Sequence, residues 1–172
     1  NIGNTLEAPN EGSWQPPVQE YYFDDYVDAG FTCVRIPITW DGHTSNTLPF
    51  TIDDSWLDRV EQIVDWALAR KLLVVINAHH DDWVKDNPTQ QNLDRFDSIW
   101  SQISVRFKDK SDSLLFEMIN EPDPMPQNTV YSLNSRVLSI IRKTNPTRIV
   151  LFSGHSWANS DQLLVATVPV DN

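Results

Sequence analysis

The sequence predicts an α/β fold in which parallel strands alternate with covering helices, and three observations predict it. Short β-branched runs recur along the 172 residues, amphipathic helical periodicities lie between them, and the runs are apolar almost throughout. The spacing between successive runs is about 40, 42 and 34 residues, one strand and one crossover helix per period.

In chain order, a first strand is expected around Ile2, then a helix from about Val18 to Ala29, after Pro16 and Pro17 and before Gly30. Cys33 to Ile38 reads as a second strand, with Cys33 as a buried small hydrophobe. Trp56, Leu57, Val60, Ile63, Val64, Ala67 and Leu68 recur at helical spacing, with Ser55 and Asp58 as an N-terminal capping signal. Leu72 to Ala78 is the third strand. Leu93, Phe96, Ile99, Trp100, Ile103 and Phe107 mark the next helix, and Leu114 to Ile119 the fourth strand. Val130, Leu133, Val137, Ile140 and Ile141 mark a last helix before a fifth strand at Arg148 to Ser153.

An open doubly wound sheet calls for a glycine-rich turn after its first strand, and this sequence has none. A closed barrel calls for long loops after its strands, which residues 39–54, 79–91 and 121–128 supply. Eight units of this period need on the order of 280 to 320 residues. The expectation is a partial TIM (β/α)8 barrel: about the first five strands with their helices, in one catalytic domain over 1–172 that lacks strands six to eight.

Composition narrows the partners. Twenty-four acidic against 13 basic residues give a formal charge of −11, which repels phosphate backbones and anionic lipid headgroups, so no nucleic acid or membrane partner is expected. No stretch approaches the roughly 18 consecutive apolar residues of a spanning helix. The single cysteine excludes an intramolecular disulfide and a cysteine-based zinc site.

Barrel enzymes place their chemistry where strands end. Arg35 lies in the second strand, which gives way at Pro37 to Trp40; the third strand ends in Asn77-Ala78-His79-His80, the fourth in Asn120-Glu121-Pro122 and the fifth in Gly154-His155-Ser156-Trp157. A strand-end carboxyl held in a partly desolvated cleft can protonate a leaving oxygen, the acid's task in glycoside hydrolysis. Asn120 can bond a sugar hydroxyl or cap its turn, and Arg35 can serve the chemistry or simply pair with Glu117. Trp40, Trp83 and Trp157 offer flat faces to sugar rings, with loop packing as the alternative; Trp14 reads as loop packing. His79-His80-Asp81-Asp82 looks like a metal cluster, but adjacent strand residues point to opposite faces, so no metal is expected.

The run Leu114-Leu115-Phe116-Glu117-Met118-Ile119-Asn120-Glu121-Pro122-Asp123 resembles the signature of glycoside hydrolase family 5, the cellulase family. Asn1 to Glu7 resembles the family's first-strand motif, Val34-Arg35-Ile36-Pro37 its second strand and Asn77-Ala78-His79-His80 its third. The resemblance implies a retaining endo-β-1,4-glucanase with Glu121 as acid/base, and Arg35, His79 and Asn120 as its supporting catalytic residues. Asn4, Glu7, His80, Trp157 and Trp40 become candidate substrate-binding residues for a β-glucan chain or oligosaccharide. It implies no cofactor and an extracellular site of action. The family's strand-six His-x-Tyr, strand-seven nucleophilic glutamate and strand-eight Trp have no match here, so the nucleophile is expected outside this segment, with a second polypeptide or segment completing the barrel. A mannanase, xyloglucanase or mixed-linkage glucanase, a non-catalytic carbohydrate-binding relative and a metal-dependent barrel hydrolase stay open.

Overall fold

A computed structural model describes residues 1–171. Four strands, β1 (Cys33–Ile36), β2 (Leu73–Asn77), β3 (Leu114–Glu117) and β4 (Val150–Leu151), form one sheet in the order β1-β2-β3-β4, each pair parallel. The helices are α1 (Tyr22–Asp28), α2 (Asp54–Ala69), α3 (Asp82–Asp86), α4 (Gln90–Arg106), α5 (Gln127–Arg142) and α6 (His155–Ala158). Strands that neighbour in sequence neighbour in space, with α2, α4 and α5 as the long crossovers.

Register sorts the side chains. Val34, Ile36, Val74, Ile76, Leu114 and Phe116 share one face and are fully buried or nearly so. The covering helices bury their apolar stripes in the same core: Val60, Ile63 and Val64 from α2, Phe96, Ile99, Trp100 and Ile103 from α4, Val130, Val137 and Ile141 from α5. Trp100 closes the layer, its ring beside Phe116 and its Nε1–H donating to the Met118 carbonyl at 3.0 Å.

The other face carries Cys33, Arg35, Leu73, Val75, Leu115, Glu117 and Leu151. The apolar runs suggested strands covered on both sides; here Leu73 is 45% and Leu151 38% exposed, because no second layer faces them among the described residues. Cys33 is exposed for the same reason, not buried as expected.

Three elements differ from expectation. The Ile2 segment contributes one backbone bond to β1, Ile2 N–H to Arg35 O at 2.9 Å, and then turns away. Asn4 takes a positive φ of 62°, and the Glu7 carboxylate gathers the backbone N–H groups of Asn4 and Thr5 into a tight turn. Helix α1 begins at Tyr22 rather than Val18, whose N–H is bound by the Glu11 carboxylate and whose carbonyl is bound by Arg59. Helix α2 begins one residue before Ser55, with Asp53 at the cap position.

Candidate active site

Beyond their formal ends the strands stay laced at one edge. Thr39 N–H donates to Leu6 O (3.2 Å), His79 N–H to Ile38 O (2.8 Å) and Asn120 N–H to Ala78 O (2.8 Å). This ladder carries the N-terminal loop and three strand ends forward together, so residues far apart in sequence arrive side by side.

Arg35 reaches across the uncovered face. Its Nε donates to Glu117 Oε2 at 2.6 Å and its Nη2 to Glu117 Oε1 at 2.7 Å and Asn120 Oδ1 at 2.8 Å. The planar fork satisfies a carboxylate bidentately and fixes Asn120, which is buried. Arg35 thus pairs with Glu117, one of its two sequence readings, and the same guanidinium holds Asn120, the residue before Glu121.

Glu121 stands where β3 has ended. Its φ of 40° reverses the chain, and Asp123 N–H returns to the Glu121 carbonyl at 2.7 Å around Pro122. A left-handed backbone at a residue with a Cβ costs about 1–3 kcal/mol, sustained here by the bonds on either side. Glu121 is exposed among the described residues, where the sequence reading had a partly desolvated cleft.

His79 is half-buried. Burial, with the charges of His80, Arg35 and Lys85 added and Asp82 opposing, pushes its pKa down to about 3, so the imidazole is neutral across the working range. Asn77 Nδ2 lies 3.1 Å from His79 Nδ1. His80 is exposed, edge-on to His79 with ring centroids 4.6 Å apart, and Trp14 stands edge-on to His80 at 5.9 Å.

Three tryptophans are sorted by their surroundings. Trp40 is fully buried and its Nε1–H donates to the Asn77 carbonyl at 2.9 Å, so no sugar can stack on it. The Trp83 ring lies under the Arg95 guanidinium at 4.4 Å and its Nε1–H donates to Asp81, so Trp83 packs its loop. Trp14, read as loop packing, is 50% exposed beside His80. Nothing periodic surrounds Trp14, and only the folded loop reveals it.

Glu7 is 5% exposed, with both carboxylate oxygens engaged by backbone, so it builds the first loop. Asn4 itself is exposed and borders, with Gln15, Tyr22 and Tyr26, a cavity of about 420 Å³. Trp157 is 65% exposed on the turn after β4, and no ring contact or hydrogen bond ties its side chain to the Arg35 cluster among the described residues.

Along His79-His80-Asp81-Asp82 the two imidazoles lie edge-on to each other and the two carboxylates have separate partners. Asp81 is fully buried and accepts from Trp40 N–H and Trp83 Nε1–H, whereas Asp82 pairs with Lys85. No group of three or more His, Cys, Asp or Glu side chains converges as a metal site among the described residues.

With this geometry in place, comparison with known proteins decides the family. The cellulase family model, glycosyl hydrolase family 5, matches residues 3–172. The chain belongs to glycosyl hydrolase family 5. It is 53% identical to Endoglucanase H of Acetivibrio thermocellus over 99% of the chain, covering 19% of that protein. The crystal structure of endoglucanase Cel5A from Thermotoga maritima superposes with a TM-score of 0.94 at 36% identity, over 98% of this chain and 55% of that one. A tri-modular endo-β-1,4-glucanase of family 5, subfamily 4, from Bacillus licheniformis, solved with cellotetraose, gives 0.93 at 47% identity, over 100% of this chain and 35% of that one. The chain thus spans about half the length of Cel5A and a fifth of Endoglucanase H. Its four-stranded sheet is part of the family 5 barrel.

Proposed function

We propose that the chain carries the acid/base half of a retaining endo-β-1,4-glucanase site. The observation that carries this reading is Glu121 at the end of β3, directly after an Asn120 that Arg35 and Glu117 hold in place. In the first step a nucleophilic carboxylate, supplied outside the described residues, bonds to the anomeric carbon while Glu121 gives its proton to the departing glycosidic oxygen. In the second, water bonds to the same carbon, its proton passes to the Glu121 carboxylate, and the glycosyl ester breaks. Arg35, Asn120 and His79 steady the reacting sugar, and Asn4, His80, Trp14 and Trp157 are the sugar contacts we favour. The substrate is a β-1,4-glucan, and a polymer too large to enter a cell places the enzyme outside it. Cel5A of Thermotoga maritima has been crystallised with mannotriose as well as cellobiose, which supports mannan as a second substrate to try.

The test is reducing-sugar release from soluble β-1,4-glucan. The chain alone should release none. Fused to the part of Endoglucanase H that follows the matched segment, it should release sugar, and Glu121→Gln in that fusion should lower kcat by about 10²–10⁴-fold. Azide should then restore turnover of an aryl cellobioside whose leaving group needs no acid. Full turnover by the Gln variant would sink the assignment; steady turnover by the chain alone would sink the divided site.

A further inference from the structure

The proton on His79 is set from a place that carries no chemistry. Asn77, the last residue of β2, is 1% exposed and uses both ends of its amide. Its Oδ1 accepts the Ile38 backbone N–H at 3.1 Å, and that donor has only one role to play. The amide therefore cannot turn over, and its Nδ2 faces His79 Nδ1 at 3.1 Å. Nδ2 can only donate, so Nδ1 must accept, and the ring's one proton resides on Nε2.

The residue is held at its backbone too, where its carbonyl accepts Trp40 Nε1–H at 2.9 Å. The His79 backbone is tied as well, by Lys85 Nζ, which donates to the His79 carbonyl at 2.8 Å. His79 Nε2 has no protein partner among the described residues, and it is not among the buried polar atoms left unpaired. It is a free donor at the strand edge that carries Glu121.

We infer that Asn77 is a positioning residue that locks His79 as the Nε2–H tautomer, presenting a neutral hydrogen-bond donor to the substrate. The catalytic value of that donor rests on the glycosidase reading above; the tautomer does not. The low pKa of His79 agrees with an acceptor at Nδ1 that burial keeps from gaining a second proton. The charged and titratable groups facing the ring are His80, Arg35, Lys85 and Asp82, and none supplies a competing acceptor at Nδ1.

The experiment is ¹⁵N NMR of the imidazoles, four in this chain, assigned by single substitution. His79 is expected to show a bare Nδ1 and a protonated Nε2, unchanged from pH 8 down to pH 5. Asn77→Asp keeps the acceptor for Ile38 N–H but replaces the donor facing the ring with a carboxylate oxygen. In that variant the proton should appear on Nδ1 and the ring should titrate at least one pH unit higher. Protonated Nδ1 in the unsubstituted chain overturns the inference whatever the variants do, and so does a bare Nδ1 in a folded Asn77→Asp. Where Asn77→Asp unfolds, Asn77→Ser, too short to reach the ring, should give a mixture of tautomers; a single Nε2–H form there overturns it as well. In the active fusion, Asn77→Asp should lower kcat more than it raises KM, a loss read separately from the spectra.

Discussion

At the scale of the residue, buried polar groups near the strand ends hold protonation states that differ from solution. Asp81 is the clearest. Burial pushes its pKa up to about 7, against bonds from Trp83 and Trp40 and the charge of Lys85, with Asp41 adding to the rise. Below about pH 4 the carboxyl is protonated in both folded and unfolded chains and contributes no pH dependence. Between there and pH 7 the unfolded chain releases the proton and the folded chain keeps it, so stability falls as pH rises, then levels off. Asp81→Asn keeps the Oδ1 that accepts both tryptophan N–H groups and has no proton to lose. It should match the parent at pH 4 and exceed it at pH 8, by at most about 4 kcal/mol, in urea unfolding at the two pH values. A gain of equal size at both would mean that titration is not the cause. His79 runs the other way: its lowered pKa removes stability as pH falls from about 6.5 toward 3, because only the unfolded ring takes up the proton.

At the scale of the element, the weak point of a parallel sheet is the return from helix to strand, where carbonyls are left without partners. Arg148, just before β4, closes that return between α4 and β3. Its guanidinium is 3% exposed and donates to the carbonyls of Phe107, Lys110, Ser111 and Leu114 and to Asn145 Oδ1. It also lies 5.0 Å over the Phe116 ring, so one side chain ties two loops to the sheet. Lysine has the charge but neither the fork nor the number of donors. Arg148→Lys should therefore cost about 3 kcal/mol through carbonyls left buried and unpaired, read as a fall in the urea midpoint at constant m. A change under about 0.5 kcal/mol would show that water replaces the guanidinium freely.

At the scale of the whole molecule, one sheet face is a finished core and the other is open. Leu73 at the start of β2, Leu151 in β4 and Ile149 just before it are 45%, 38% and 55% exposed. Exposed apolar side chains grouped on one sheet bind hydrophobic dyes. The chain should enhance ANS fluorescence at neutral pH while retaining its near-UV signal, and Leu73→Lys with Leu151→Lys should remove most of that enhancement. Stability should change by less than about 1 kcal/mol, because neither side chain is fully packed. Enhancement unaffected by the double substitution would place the dye elsewhere.

The sequence by itself determined what is local. Helical periodicity fixed α2, α4 and α5, β-branched runs fixed four strands, and the run ending in Asn120-Glu121-Pro122 put a carboxyl group just past a strand terminus. These are properties of neighbours along the chain, where a side chain's face follows from its position in a repeat. Tertiary structure decided which side chains are consumed by the fold. Arg35 meets Glu117 across 82 residues, and Trp40 meets Asp81 across 41. No periodicity tells a tryptophan that its strand end will be roofed, as Trp40's is, or that its loop will stay open, as Trp14's does. Glu7 read as a ligand through the resemblance of residues 1–7 to the family's first-strand motif; in the fold its carboxylate gathers two backbone N–H groups. The identity of a functional residue follows from its chemistry, which the sequence carries. Its availability follows from what else comes within hydrogen-bonding distance, and only the folded sheet, with its long-range contacts formed, sets that.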